Sequence, residues 1–294
     1  MRSLPWIFIL ITTVSANFLK GQHCAGQILE GLSMNSEIMK KKIEYAVYLP
    51  PSYEYSNRFF PVVYLLHGYT DDESAWIQFG EVQLTADEAI KNRKIPPMII
   101  IMPDAGVSWY INNFNGKSPY EDMFFEEFIP YVETRFRIRR NKEFRAVSGL
   151  SMGGYGSLIW ALHYPDMFSS CVAYSAAVRR SETYEKMPDK FYDKIFREIY
   201  GQTKRESRIT NHWKENSVFT LMRNMPVEEI QKVNIMLHCG DDDNLSVENG
   251  HLHNLMQKRN IKHEYRISDG RHSWGYWREH ILEGLVFIGD GFNR

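Results

Sequence analysis

The chain has 294 residues, 44% hydrophobic and 24% charged, with a formal net charge of −1. That length permits one large domain or two small ones and buries enough surface to need no disulfide staples. The near-neutral balance offers no basic footprint for nucleic acid and no acidic solvating tail.

Met1-Arg2 is followed by the apolar run Leu4 to Val14 and the small residues Val14-Ser15-Ala16. This pattern predicts a signal peptide over 1–16 and a secreted or periplasmic protein. The run is too short for a comfortable span, so no stable membrane insertion is expected. A retained anchor and a lipidated Cys24 are the rivals. Residues 17–29 read as an N-terminal segment, and 30–294 as one domain. The three cysteines, Cys24, Cys171 and Cys239, are an odd number and define no disulfide framework. Cys171 and Cys239 lie in apolar runs and read as buried thiols.

Lys42 to Leu49 alternates as a half-buried strand does. Pro61 to Leu66 and Met98 to Met102 are short apolar runs of the interior parallel type. Tyr120 to Phe136 has helical spacing. Phe144 to Val147 predicts a strand, Ser157 to Leu162 a helix, and Ser170 to Tyr174 and Val233 to Leu237 two more strands. Ser246 to Lys258 predicts a helix, His263 to Ile267 a strand, and Trp274 to Val286 a closing helix. This alternation predicts an α/β fold with a mostly parallel sheet and helices on both faces. Val178 to Pro226 breaks the rhythm and reads as a helical insertion over the strand ends.

GLSMGGYG (149–156) places Ser151 between a strand and a helix, the setting of a nucleophile elbow. A serine hydroxyl needs a base, and the base an orienting carboxylate. Downstream, a strand runs into CGDDDNL (239–245), where Asp241, Asp242 and Asp243 are candidate acids. The next strand runs into SDGRHSW (268–274), where His272 is the candidate base. Met152 N–H and Tyr69 N–H, the latter from the glycine loop LLHGYT (65–70), are candidate oxyanion donors. His67 reads as a loop-shaping residue. No H-E-x-x-H and no cysteine pair at zinc spacing occurs, so no metal is expected.

LLHGYTDD (65–72), GLSMGGYG, CGDDDNL and GRHSW (270–274) together resemble the esterase D-like branch of the α/β-hydrolases. That branch includes the feruloyl and acetyl xylan esterases of carbohydrate esterase family 1. PDAGVSWYINNF (103–114) is similar to it as well. The resemblance implies an α/β-hydrolase fold and an esterase domain over 30–294. It also implies the triad Ser151, Asp243 and His272, oxyanion donors Tyr69 and Met152, and no cofactor. Asp243 is singled out by its place third after the glycine and two before an apolar residue.

The signal peptide argues against a cytosolic thioester and favours an extracellular ester. Trp109, Tyr110, Trp213 and Trp274 are candidate substrate-binding rings, because aromatic faces stack on sugars and phenolic acyl groups. The expected activity is release of ferulate or related hydroxycinnamates from plant cell-wall xylan. The expected partner is a feruloylated or acetylated plant polysaccharide or oligosaccharide. An acetyl xylan or short-chain acyl esterase is the alternative, followed by an acyltransferase and a non-catalytic glycan-binding relative.

Overall fold

The computed structural model describes residues 25–201 and 204–292. Its strands are β1 (Gln27–Ser36), β2 (Lys41–Leu49), β3 (Val62–Leu66), β4 (Ile99–Pro103), β5 (Arg145–Leu150), β6 (Ser170–Tyr174), β7 (Asn234–Gly240) and β8 (Glu264–Ser268). They form one sheet in the order β1-β2-β4-β3-β5-β6-β7-β8. β2 runs antiparallel to β1 and β4, and β4 through β8 are parallel. The expected signal peptide, Cys24 and the start of the 17–29 segment lie outside the described residues. Among the described residues no helix is long and apolar enough to cross a membrane.

The interior strands are apolar throughout because both faces are covered. Successive side chains of β3 go to opposite cores: Val62, Tyr64 and Leu66 to one, Val63 and Leu65 to the other. Helices Val82–Lys91 and Trp274–Phe292 cover the second face. Helices Met152–His163 and Ser246–Lys258 cover the first. The strand order reverses around β3, whose neighbours are β4 and β5. The C-terminal ends of β3 and β5 therefore flank the crevice where open α/β sheets place ligands.

Two departures from the sequence reading, an extra edge strand and a break in a helix, have physical causes. The edge strand β1 was not expected. Its pairing slips between Leu29 and Leu32, where Gly31 takes φ +68°, and a bulge there breaks the alternation that marks a strand. The helix expected over 120–136 is interrupted by a π turn at Phe124–Phe128, with the Ile129 N–H donating to Phe124 O. Pro130 has no N–H to give back to the preceding turn, which favours the wider register. The insertion forms several short helices, among them Ser181–Lys186, Asp189–Ile195 and Asn211–Glu215. Buried Arg208 ties it together, donating to the Tyr184 and Met187 carbonyls at 3.0 and 2.6 Å and to Asp189 at 2.6 Å. Cys171 and Cys239 are buried free thiols, and burial pushes Cys239 up to about 12.

Candidate active site

The turn from β5 into helix Met152–His163 is tight. Ser151 sits at φ 53°, ψ −112°, a strained conformation for a residue with a Cβ. Its N–H donates to Tyr174 O at 2.9 Å, and its carbonyl accepts from Ala177 N and Tyr155 N. This holds the turn between β6 and the new helix. A Cβ on Gly153 would lie 2.5 Å from Leu66 O and 2.7 Å from His67 O, and one on Gly149 would lie 2.6 Å from the Gly153 carbonyl. Both positions need glycine because the elbow packs directly on the loop after β3.

The loops after β5, β7 and β8 bring three side chains together. Ser151 Oγ lies 2.9 Å from His272 Nε2, and His272 Nδ1 lies 2.9 Å from Asp243 Oδ2 and 3.1 Å from Oδ1. Asp243 is buried, and its Oδ1 also accepts the Leu245 N–H at 2.8 Å. Burial pushes its carboxyl up. The hydrogen bonds from His272 and Leu245 N–H, with the His272 charge and the Ser175 hydroxyl, outweigh that and hold it below its ordinary value. Asp241 and Asp242 are exposed: Asp241 Oδ1 accepts the N–H groups of Gly270 and Asp242, and Asp242 Oδ2 lies 3.9 Å from Arg271 Nε.

The loop after β3 is pinned carbonyl by carbonyl. Trp76 Nε1 donates to Leu66 O at 2.9 Å and Tyr110 Oη to His67 O at 3.0 Å. Ala105 N–H donates to His67 Nε2, so the ring proton is on Nδ1, which donates to Gly68 O at 2.7 Å. Gly68 O and Tyr69 N–H belong to one trans peptide and point in opposite directions. Fixing that carbonyl therefore fixes the N–H. Met152 opens its helix, so its N–H has no partner within the helix.

The predicted substrate-binding rings separate. Tyr110 is fully buried, with its hydroxyl on His67 O, and Trp213 is buried against Tyr184 inside the insertion. Both rings are closed off from solvent, so their assignment is corrected to supporting the loop and the insertion. Trp109 is also buried, between Tyr69, Tyr155 and Phe196, and it supports the wall beside Tyr69. Trp274 is half-buried against Trp76, Phe79 and Trp277.

The sequence reading gave no role to Ser175. It is buried at φ +46° just beyond β6, and its Oγ accepts Trp277 Nε1 at 3.0 Å. Its position one residue past a strand that pairs with β5 was the available signal.

Comparisons with known proteins agree with this architecture. An esterase of Mycobacterium tuberculosis is 38% identical over 142 residues, which is 46% of this chain and 29% of that relative. The chain thus matches less than a third of the length of that protein. An acetyl esterase of Caldicellulosiruptor saccharolyticus is 25% identical over 233 residues, covering 77% of this chain and 82% of the relative. A solved ferulic acid esterase superposes with a TM-score of 0.78 at 27% identity, covering 91% of this chain and 99% of that one. The esterase family model, described as "Putative esterase", matches residues 36–288. With nearly the whole sheet inside that match, and a serine at the elbow its fold provides, the chain belongs to this esterase family and has the α/β-hydrolase fold.

Proposed function

We propose that the protein is a secreted serine carboxylic-ester hydrolase that releases ferulate or related hydroxycinnamates from plant cell-wall xylan. The single observation that carries the catalytic part is the hydrogen-bonded chain from Ser151 through His272 to buried Asp243. Superposition on the ferulic acid esterase at 27% identity supports the aromatic acyl group.

In this reading His272 Nε2 takes the Ser151 proton as Oγ attacks the ester carbonyl. Tyr69 N–H and Met152 N–H receive the negative charge on the carbonyl oxygen. His272 returns the proton to the leaving alcohol. Water, deprotonated by His272, then attacks the acyl carbonyl, and His272 passes that proton to Ser151 Oγ as the acid leaves. Asp243, held as the anion, keeps the imidazole in the tautomer with Nδ1–H throughout. The reaction needs no cofactor, and its partner is a feruloylated or acetylated plant polysaccharide or oligosaccharide. The second reading, an acetyl xylan or short-chain acyl esterase, is favoured by likeness to the acetyl esterase over most of both chains.

The test is hydrolysis of methyl ferulate and 4-nitrophenyl acetate side by side, with Ser151→Ala as control. Ferulate release lost in the variant supports the first reading. Acetate release alone moves it to the second. Turnover that persists in Ser151→Ala removes the serine from the mechanism.

A further inference from the structure

A groove of about 710 Å³ lies between the start of the insertion and the loop that carries the acid. It is within the size range of small-molecule sites. Asn244 and Leu245, which follow Asp243, form one wall, and the segment from Arg179 to Phe191 forms the other. Arg179 lies two residues beyond Ala177, whose N–H binds the Ser151 carbonyl. The groove is thus attached to the Ser151–His272–Asp243 chain on two sides, although none of those three residues lines it.

Its charges are unequally spent. Arg180 and Glu248 neutralise each other at 3.0 Å, and Glu248 also accepts from the Thr183 hydroxyl. Arg179 has no carboxylate partner among the described residues. Its guanidinium donates to Ala177 O at 3.2 Å and lies over Phe196 and Trp109, 5.4 and 6.0 Å from their ring centroids. Those aromatic contacts fix the planar group without satisfying its charge. Trp109 in turn packs against Tyr69. A half-buried guanidinium without a carboxylate partner, held over the Trp109 ring that itself packs on Tyr69, is prepared for an acidic group of a ligand. Exposed Lys186 adds a second cation, set against the exposed Glu182 carboxylate, so that Arg179 is the net positive charge of the lining, and exposed Phe191 and Val247 give the groove apolar rims.

We propose that this groove is a subsite for a carboxylate-bearing ester, with Arg179 as the residue that takes the carboxylate. The inference rests on the ester-hydrolase reading above and adds a preference that reading does not contain. The carboxylate belongs to either the acyl half or the alcohol half of the ester, and the experiment has an arm for each.

In the acyl arm, kcat/KM for 4-nitrophenyl hydrogen glutarate is divided by that for 4-nitrophenyl butyrate. In the alcohol arm, acetate release from an O-acetylated methyl glucuronoside is divided by that from its neutral glucuronamide. The expected result is a ratio above one in one arm, which falls roughly tenfold to a hundredfold in Arg179→Gln, as loss of a charge-assisted hydrogen bond does. Arg179→Lys should fall between the two, because it keeps the charge without the planar contact. Exposed Lys186→Gln should lower the same ratio by less, and added salt should lower it in the wild type. These two readings stand even if Arg179→Gln fails to fold. Ratios at or below one in both arms, or ratios that Arg179→Gln, Lys186→Gln and salt leave unchanged, overturn the groove assignment and leave the hydrolase reading intact. No turnover of any ester, charged or neutral, overturns both.

Discussion

The Trp277 ring stands edge-on to the His272 imidazole, with centroids 4.9 Å apart and planes at 89°, while its Nε1 donates to Ser175 Oγ at 3.0 Å. The closing helix therefore braces the proposed base through a ring contact, alongside its hydrogen bonds to Asp243. Trp277→Phe keeps an aromatic edge and removes the donor. It should lower kcat about tenfold, near the value of one buried hydrogen bond, and leave KM almost unchanged. Steady-state kinetics on 4-nitrophenyl acetate checks this. A change confined to KM would mean that Trp277 contacts substrate instead.

Removing the hydrogen-bonded chain one member at a time should give unequal losses. Ser151→Ala and His272→Ala should each abolish nearly all turnover while the thermal unfolding transition stays close to wild type. Asp243→Asn should cost about 10⁴-fold in kcat, because the imidazole loses its tautomer and its orientation. Asp242→Asn should have little effect, since Asp242 is exposed. A larger loss in Asp242→Asn than in Asp243→Asn would reverse the choice of acid.

Much of the fold was legible because burial on both faces writes itself as unbroken apolar runs. β3, β4 and β6 are buried at every residue and were expected within a residue or two. β1 was not, because an edge strand with a bulge has neither such a run nor an unbroken alternation. Ser151, Asp243 and His272 could be marked because each follows a strand into a polar or glycine-rich turn. Arg179 could not, since what it does depends on neighbours far away in the chain, and the place of Ser175 after a strand said nothing of its bond to Trp277. The rings of Tyr110 and Trp213 are buried where the sequence suggests binding, because an aromatic residue looks the same in sequence whether its ring faces solvent or core.

The pinned loop after β3 makes a prediction about Tyr110, which touches no proposed reacting group. Tyr110→Phe removes the donor to His67 O without opening a cavity. It should destabilise the protein by about 1 kcal/mol, and somewhat more if the carbonyl stays buried and unpaired. It should also lower kcat several-fold on feruloyl and acetyl esters alike, because a loosened loop misplaces the Tyr69 N–H for any ester. Urea unfolding together with kinetics on both substrates tests it. A loss restricted to the aromatic ester would return Tyr110 to a substrate-binding role.

His163 links the elbow helix to the insertion. Its Nδ1 lies 2.7 Å from Glu121 Oε1 and its Nε2 lies 3.0 Å from Glu215 O, so both ring nitrogens face acceptors. Burial works against the imidazolium, but the hydrogen bond and charge of Glu121, with the Glu215 carbonyl, outweigh it and raise the pKa. A group raised on folding stabilises the native state fully below its unfolded value of about 6.5, and that contribution is lost as pH rises through the folded value. The stability difference between wild type and His163→Gln should therefore be larger at about pH 5.5 than at about pH 8.5. Urea unfolding at the two pH values measures it. An equal difference at both would show that the contact works as a neutral hydrogen bond, and a larger one at alkaline pH would contradict the raised pKa.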